Sequence, residues 1–198
     1  YNQDDKMLEI NLQAYLDYKK TIGRHDFSGL LGYSQIQNEL KILYAGRKDL
    51  PENNSLGQVD AGDINTQETK GYRRDYALRS VFGRINYAYD GRYLFEANMR
   101  YDGTSRFPKN NRFGLFPSFS AGWRISEEAF FNADFIDNFK VRASWGKLGN
   151  QEIGDYAFLN TYVFGQNYPY NNTLAPGVSI NETMENRDIT WEKTTQVD

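Results

Sequence analysis

Between Tyr93 and Glu128 the chain alternates strictly, twice. Glu96, Asn98, Arg100 and Asp102 alternate with Phe95, Ala97, Met99 and Tyr101. Then Ser118, Ser120, Gly122 and Arg124 alternate with Phe119, Ala121, Trp123 and Ile125. A period of two puts successive side chains on opposite faces of a β-strand. One face therefore carries ionised groups in mid-strand and the other is almost wholly apolar. Two architectures meet that demand: a sheet with water on one side and a core on the other, or a membrane barrel with lipid outside and a wet lumen inside.

Composition narrows the choice. Only 39% of the 198 residues are hydrophobic, yet 16% are aromatic, with 15 Tyr and 13 Phe. Few aliphatics and many aromatics suit wet sheets bounded by aromatic girdles. Mean hydropathy is -0.74, and no run approaches the ~18 apolar residues of a spanning helix. A barrel is untouched by that argument, because only alternate residues face lipid. The net charge of -3 with scattered basic residues gives nucleic-acid binding no electrostatic support. Without cysteine there is no disulfide frame, thiolate nucleophile or thiolate metal site.

Taken in order, Leu8, Ile10, Leu12, Ala14 and Leu16 alternate with polar partners and predict a first strand, although the residue types also favour helix. A polar connection, Lys19 to His25, leads to a second strand over Asp26 to Ile36. Gln37 to Arg74 reads as a long polar loop. A third strand spans Tyr76 to Tyr89, and Asp90-Gly91 is a tight hairpin turn. The fourth and fifth strands are the opening pair, joined by the polar loop Asp102 to Arg112. Ser126-Glu127-Glu128 predicts a short helix, with Ser as N-cap and acids in the first turn. A sixth strand covers Phe139 to Leu148. A second long loop, Gly149 to Asp188, precedes a further strand at Trp191 to Asp198.

These connections alternate shorter with longer, although the fourth and fifth differ little. In an up-and-down antiparallel sheet alternate connections share an end, and outer-membrane barrels put short turns on the periplasmic side and long loops outside. The pattern favours the barrel, with Asp90-Gly91 periplasmic and Asp102 to Arg112 external. Tyr87, Tyr89, Tyr93 and Trp123 lie near strand ends, where girdles sit. Six or seven strands cannot enclose a wet lumen. The fold expected is therefore all-β, an antiparallel up-and-down transmembrane β-barrel segment. Residues 1–198 form one partial barrel domain, with the rest of the barrel elsewhere. No leader is visible at Tyr1, which also reads as a fragment.

Arg100-Tyr101-Asp102-Gly103-Thr104-Ser105-Arg106-Phe107 resembles the Arg-Tyr-Asp-Gly-Ser-Ser-Arg-Phe pattern of the SusC/RagA family of TonB-linked outer-membrane transporters. The resemblance continues through Asn111-Arg112-Phe113-Gly114-Leu115-Phe116-Pro117-Ser118 and on to Glu128. It takes in Val141-Arg142-Ala143-Ser144-Trp145-Gly146 and Gly149-Asn150-Gln151. It closes on Ile189-Thr190-Trp191-Glu192, where the family usually has Leu first. Lys147-Leu148 stands where Gln-Thr is common. The landmarks cover Ser80 to Glu192; earlier residues match only in style. The resemblance implies part of a barrel of about 22 strands, located in the cell outer membrane. It implies energised import of glycans, oligosaccharides or peptides. The implied partners are outer-membrane lipid, a SusD-like lipoprotein lid, and TonB acting through a plug and TonB box outside this segment. No cofactor or enzymatic activity is implied. A soluble carbohydrate-binding or enzymatic β-sandwich and a non-transporting barrel or adhesin are the other readings of the residues.

Lumen-facing or ligand-binding candidates are Arg84, Asn86, Glu96, Asn98, Arg100, Asp102, Arg106, Arg124 and Arg142, with Ser120 and Lys140 beside them. Arg100, Asp102 and Arg106 suit either ligand contact or loop anchoring through guanidinium–carboxylate pairs; anchoring is favoured, since a motif shared across many cargoes is better explained by architecture. His25, the sole histidine, reads as a turn or interface residue. Glu127 and Glu128 read as complements to a helix dipole rather than an acid pair. Asp60, Asp63 and Asn65 lack the EF-hand spacing and read as a solvated loop. Tyr162, Tyr168 and Tyr170 suit stacking on sugar rings or packing within their own loop.

Overall fold

A computed structural model describes residues 2–53, 57–132, 135–180 and 186–198. Alternation extends into strands β1 (Asn2–Ile22), β2 (His25–Gly46), β3 (Glu68–Tyr89), β4 (Tyr93–Thr104), β5 (Phe113–Arg124) and β6 (Lys140–Asn150). Short strands β7 (Tyr162–Phe164), β8 (Tyr168–Tyr170), β9 (Thr173–Ala175) and β10 (Val178–Ile180) precede β11 (Glu192–Val197). One seven-stranded sheet runs β1-β2-β3-β4-β5-β6-β11, and each neighbouring pair is antiparallel. Two small pairs, β10-β7 and β8-β9, stand apart within the β6–β11 connection.

The long polar loop expected from Gln37 to Arg74 contracts to residues 47–67, because β2 continues to Gly46 and β3 starts at Glu68. Alternation persists there with its sense reversed. Ile36, Leu40, Ile42 and Tyr44 take the parity that is polar lower on the strand, while Gln35, Gln37, Glu39 and Lys41 take the apolar one. The connection expected at Lys19 to His25 likewise contracts to Gly23 and Arg24, since Ile22 pairs with His25. Gly23 has φ 61, the left-handed value a two-residue hairpin turn demands. Asp90 and Gly91 have φ 53 and 65, and the Arg92 N–H donates to the Tyr89 carbonyl at 3.0 Å. That is the type I′ geometry expected of Asp-Gly. The expected helix at Ser126 is only a 3-10 turn, Ile125–Glu127, and Ser126 does not cap it. The Glu128 carboxylate is instead drawn to Tyr93 and Trp123. Connections at one end of the sheet are residues 23–24, 90–92 and 125–139; those at the other are 47–67, 105–112 and 151–191. The alternation in length thus reverses at one step, where 125–139 exceeds 105–112.

Very little of the sheet is packed into a core. Phe107, Phe116 and Trp191 are buried together, with Leu78, Ile153 and Ile189 against them. Among the described residues, most other large apolar side chains of the sheet lie in one uncovered layer, while Leu30, Phe82 and Leu94 take the opposite parity. Leu31 and Ile85 are each 60% exposed. Cross-strand rows on this face read His25–Tyr89–Tyr93–Trp123–Val141 at the short-turn end and Tyr33–Val81–Tyr101–Leu115 further up. The apolar band is oblique to these rows. On β1 it runs from Leu8 to Tyr18, between Lys6 and Lys20. On β2 it stops at Tyr33, six residues below the partner of Leu8, Glu39. On β6 it stops at Trp145, whose row continues through Phe119, Ala97 and Ile85 to Gly29.

Candidate functional site

The opposite parity lines a concave space of about 850 Å³. Register builds it row by row: Lys19, Ser28, Asn86, Glu96, Ser120 and Ser144 are successive partners across six strands. Asn86 donates to Ser28 Oγ at 3.1 Å. Two residues further along, Arg84 Nε donates to Asn98 Oδ1 at 2.7 Å, and Asn98 Nδ2 donates to Glu96 Oε1 at 2.7 Å. A chain of charge-assisted bonds thus fixes these side chains on the face. Lys140 and Arg142 line the same space and form no ion pair among the described residues. Lys19 and Ser28 are lining residues that sequence reasoning missed; the parity of Asp17, continued, would have found Lys19.

At the long-loop end Arg100 reaches Asp102 with both Nε and Nη2 at 3.2 Å, and Nη2 lies 3.4 Å from Ser80 Oγ. Its guanidinium also sits over the Phe82 ring, 5.4 Å from the centroid. Arg106 lies off the strands. Its Nε donates to Asp155 at 2.9 Å and its guanidinium covers the Tyr76 ring at 4.5 Å. Arg106 and Asp155 side chains are each only 14% exposed. Next to it, Phe107 and Phe116 each meet the Trp191 indole edge-on, at 5.4 and 5.1 Å. Trp191 Nε1 donates to the Arg112 carbonyl at 2.9 Å. Two landmarks far apart in sequence are therefore halves of one rim cluster. Sequence reasoning placed Phe116 within a family landmark without a role and did not name Asp155, which nothing in local spacing marks.

Arg124 shares the parity of the concave face but is engaged at the short-turn end. Its Nη2 pairs with Glu127 at 3.2 Å and its Nη1 donates to the Gly91 carbonyl at 3.4 Å. There Glu128 accepts from Tyr93 Oη at 2.7 Å, Trp123 Nε1 at 2.9 Å and Arg92 Nη1 at 3.2 Å. The indole and phenol donors, then Arg92, hold its carboxyl below the usual carboxylate range. The acids expected to complement a helix dipole thus serve side-chain pairs instead. His25 Nδ1 lies 2.9 Å from Tyr87 Oη, among the rings of Phe27, Tyr87 and Tyr89. The row Tyr89, Tyr93, Trp123 continues this belt with centroids 6.3 and 6.4 Å apart. Asp63 caps a 3-10 turn, accepting from Asn65 N at 2.9 Å. Tyr162, Tyr168 and Tyr170 stand exposed on β7 and β8.

The sequence matches, over residues 1–198, the family described as TonB dependent receptor-like, beta-barrel. It is 35% identical to TonB-dependent receptor SusC of Bacteroides thetaiotaomicron, over 98% of this chain and 19% of that protein. It is 36% identical to TonB-dependent receptor P39 of Formosa agariphila, over 93% of this chain and 17% of that one. The fold superposes on the RagAB peptide importer in its closed-closed state with a TM-score of 0.88 and 28% identity, over 98% of this chain and 21% of the other. The chain thus spans about a fifth of the length of these relatives.

Proposed function

We infer that this chain, which belongs to the TonB-dependent receptor β-barrel family, forms part of the wall of an outer-membrane importer of glycans, oligosaccharides or peptides. The observation that carries this is the two-faced single sheet. Seven strands leave their apolar parity uncovered and gather their charged parity over a concavity. A soluble sandwich would cover the apolar face with a second layer; among the described residues none does. The oblique band supports a membrane setting. Its upper edge falls by ten residues across the five steps from β1 to β6 and its lower edge by four. At about 3.3 Å per residue and 4.8 Å per strand, those slopes are roughly 55° and 30°. They bracket the ~35–45° strand tilt of outer-membrane barrels. On β1 the apolar stretch from Leu8 to Tyr18 then rises about 25 Å along the membrane normal, the height of the lipid-facing zone.

On this reading Arg84, Asn86, Glu96, Asn98, Arg100, Ser120, Lys140 and Arg142 face the lumen. Asp102 and Arg106 hold the rim, and Arg124 ties the periplasmic turns. Residues 1–198 are one continuous part of the barrel wall. Energy coupling through TonB, the plug and a SusD-like lid belong to the rest of the receptor. Passage requires polar binding and gating, with no bond made or broken. The test is uptake in cells. A strain lacking the full-length receptor should lose import of labelled oligosaccharide or peptide and regain it on complementation, and only with TonB present. Undiminished import without the receptor, or import independent of TonB, overturns the reading.

A further inference from the structure

The outward face carries cations just above the upper edge of the apolar band. On β3 the residue after Val81 on this parity is Arg79; on β6 the residue after Trp145 is Lys147. On β11 the partner of Lys147 is Thr195, and Lys193 follows one step higher. All three basic side chains are exposed. Between them lie Tyr101 and Phe113, stacked at 5.0 Å, and the Lys147 ammonium sits 5.9 Å from the Trp145 ring centroid. The order across the sheet is thus cation, aromatic pair, cations. The carboxylates on this face do not compensate them. Glu39 and Asp75 are the outward acids of β2 and β3. Both are engaged by Arg73, and Glu39 also by Lys41. The outward parity of β5 offers Phe113, Leu115 and Pro117, and that of β11 offers Lys193, Thr195 and Val197. Neither carries an acid.

Resting on the membrane-wall reading, we propose that Arg79, Lys147 and Lys193 form a binding strip for phosphorylated lipid headgroups of the outer leaflet. The chemistry is direct. Long basic side chains rooted at the edge of an apolar band extend into the headgroup layer, where phosphate is the complementary anion. Flanking aromatics sit at the same depth, with apolar rings toward the acyl chains. Continuity with the apolar band selects a lipid-borne phosphate, which brings its acyl chains to the adjacent surface, over a free one.

The test uses the full-length receptor in detergent micelles supplied with lipid A or with dephosphorylated lipid A, and native mass spectrometry reads the lipid retained. The parent should prefer the phosphorylated form. R79Q/K147Q/K193Q should weaken that preference about fivefold per charge removed, roughly a hundredfold in all. K20Q, at the opposite edge of the band, should keep parental retention, and so should the charge-conserving R79K/K147R/K193R. Absence of a preference in the parent overturns the proposal, as does full retention by the glutamine variant or loss of retention in the charge-conserving one. Failure of the wall reading would look different. Cysteines placed at Leu31 and Met99 would then react freely with water-soluble thiol reagents after reconstitution into bilayers.

Discussion

Phe107→Ala tests whether the rim cluster, rather than the strands, fixes the β4–β5 loop. Phe107 is fully buried, and among the described residues its only buried apolar companions are Phe116 and Trp191. Truncating a buried Phe costs about 3–5 kcal/mol through lost transfer energy and the cavity left behind. The edge-on pair with Trp191 adds to that loss. With so small a cluster, neighbours have little means of refilling the space, and the cost should fall on local opening rather than global unfolding. At 1.36 kcal/mol per tenfold, protection should drop by roughly 100- to 1,000-fold or more. Hydrogen exchange of the full-length receptor should show it at Thr104, Ser105 and Asn111, whose amides bond to Arg112, Ala77 and Pro108 carbonyls. Mid-strand amides around Ile85 and Ala97 should be unchanged. A uniform rise along all strands, or unchanged exchange at the three named amides, refutes the reasoning.

Glu128→Gln should remove an acid-sensitive tie between turns. Because the folded carboxyl lies below its ordinary value near 4.5, its contribution is present above that value and lost as pH falls through the lowered one. The difference in SDS-induced unfolding between parent and variant should therefore shrink as pH falls below that ordinary value; a difference that persists in acid sinks the assignment. Ile85→Arg should cost about 2–4 kcal/mol if that position lies near the bilayer midplane. Ser120→Arg, on the concave face, should be tolerated, with urea unfolding in vesicles as the measurement. Equal costs would deny the two faces their different solvents.

Strand existence, order and parity were legible because one physical rule, alternation, governs all six expected strands up to β6. The upper halves of β2 and β3 were not, although Ile36 to Tyr44 alternate well. Their apolar residues sit on the parity that is polar lower down. A strand that leaves one environment for another reverses its sense without changing its period. A search for one continuous apolar stripe reads that reversal as a loop. The turn at Ser126 failed for another reason. Its residues carry good capping propensity, but Glu128 has three side-chain donors brought from β4, β5 and the preceding turn. Tertiary pairing of this kind has no local signature. Asp155 and Trp191 joined the site by the same route, through partners 49 residues or more away.

On the importer reading, the paired charges of the motif and the cations of the concave face take different parts. Arg100 and Asp102 pair with one another on the lining of the concavity, and Arg106 is shared between Asp155 and the Tyr76 ring, so the motif's charges are engaged within the protein. Lys140 and Arg142 line the concavity with no ion pair among the described residues. On the importer reading their cationic field faces anionic or polar cargo near the short-turn end of the lumen. Arg142→Gln should therefore change the relative uptake of acidic and neutral cargo while leaving the loops as protected as before. Arg106→Gln should do the reverse. Breaking a pair this covered costs about 3–5 kcal/mol. Loop 105–112 should become protease-sensitive, and Arg106→Gln combined with Asp155→Asn should cost less than the two single changes together. Cargo preference should stay as it was. If Arg106→Gln shifts cargo preference with the loop still protected, the motif touches cargo and the division fails.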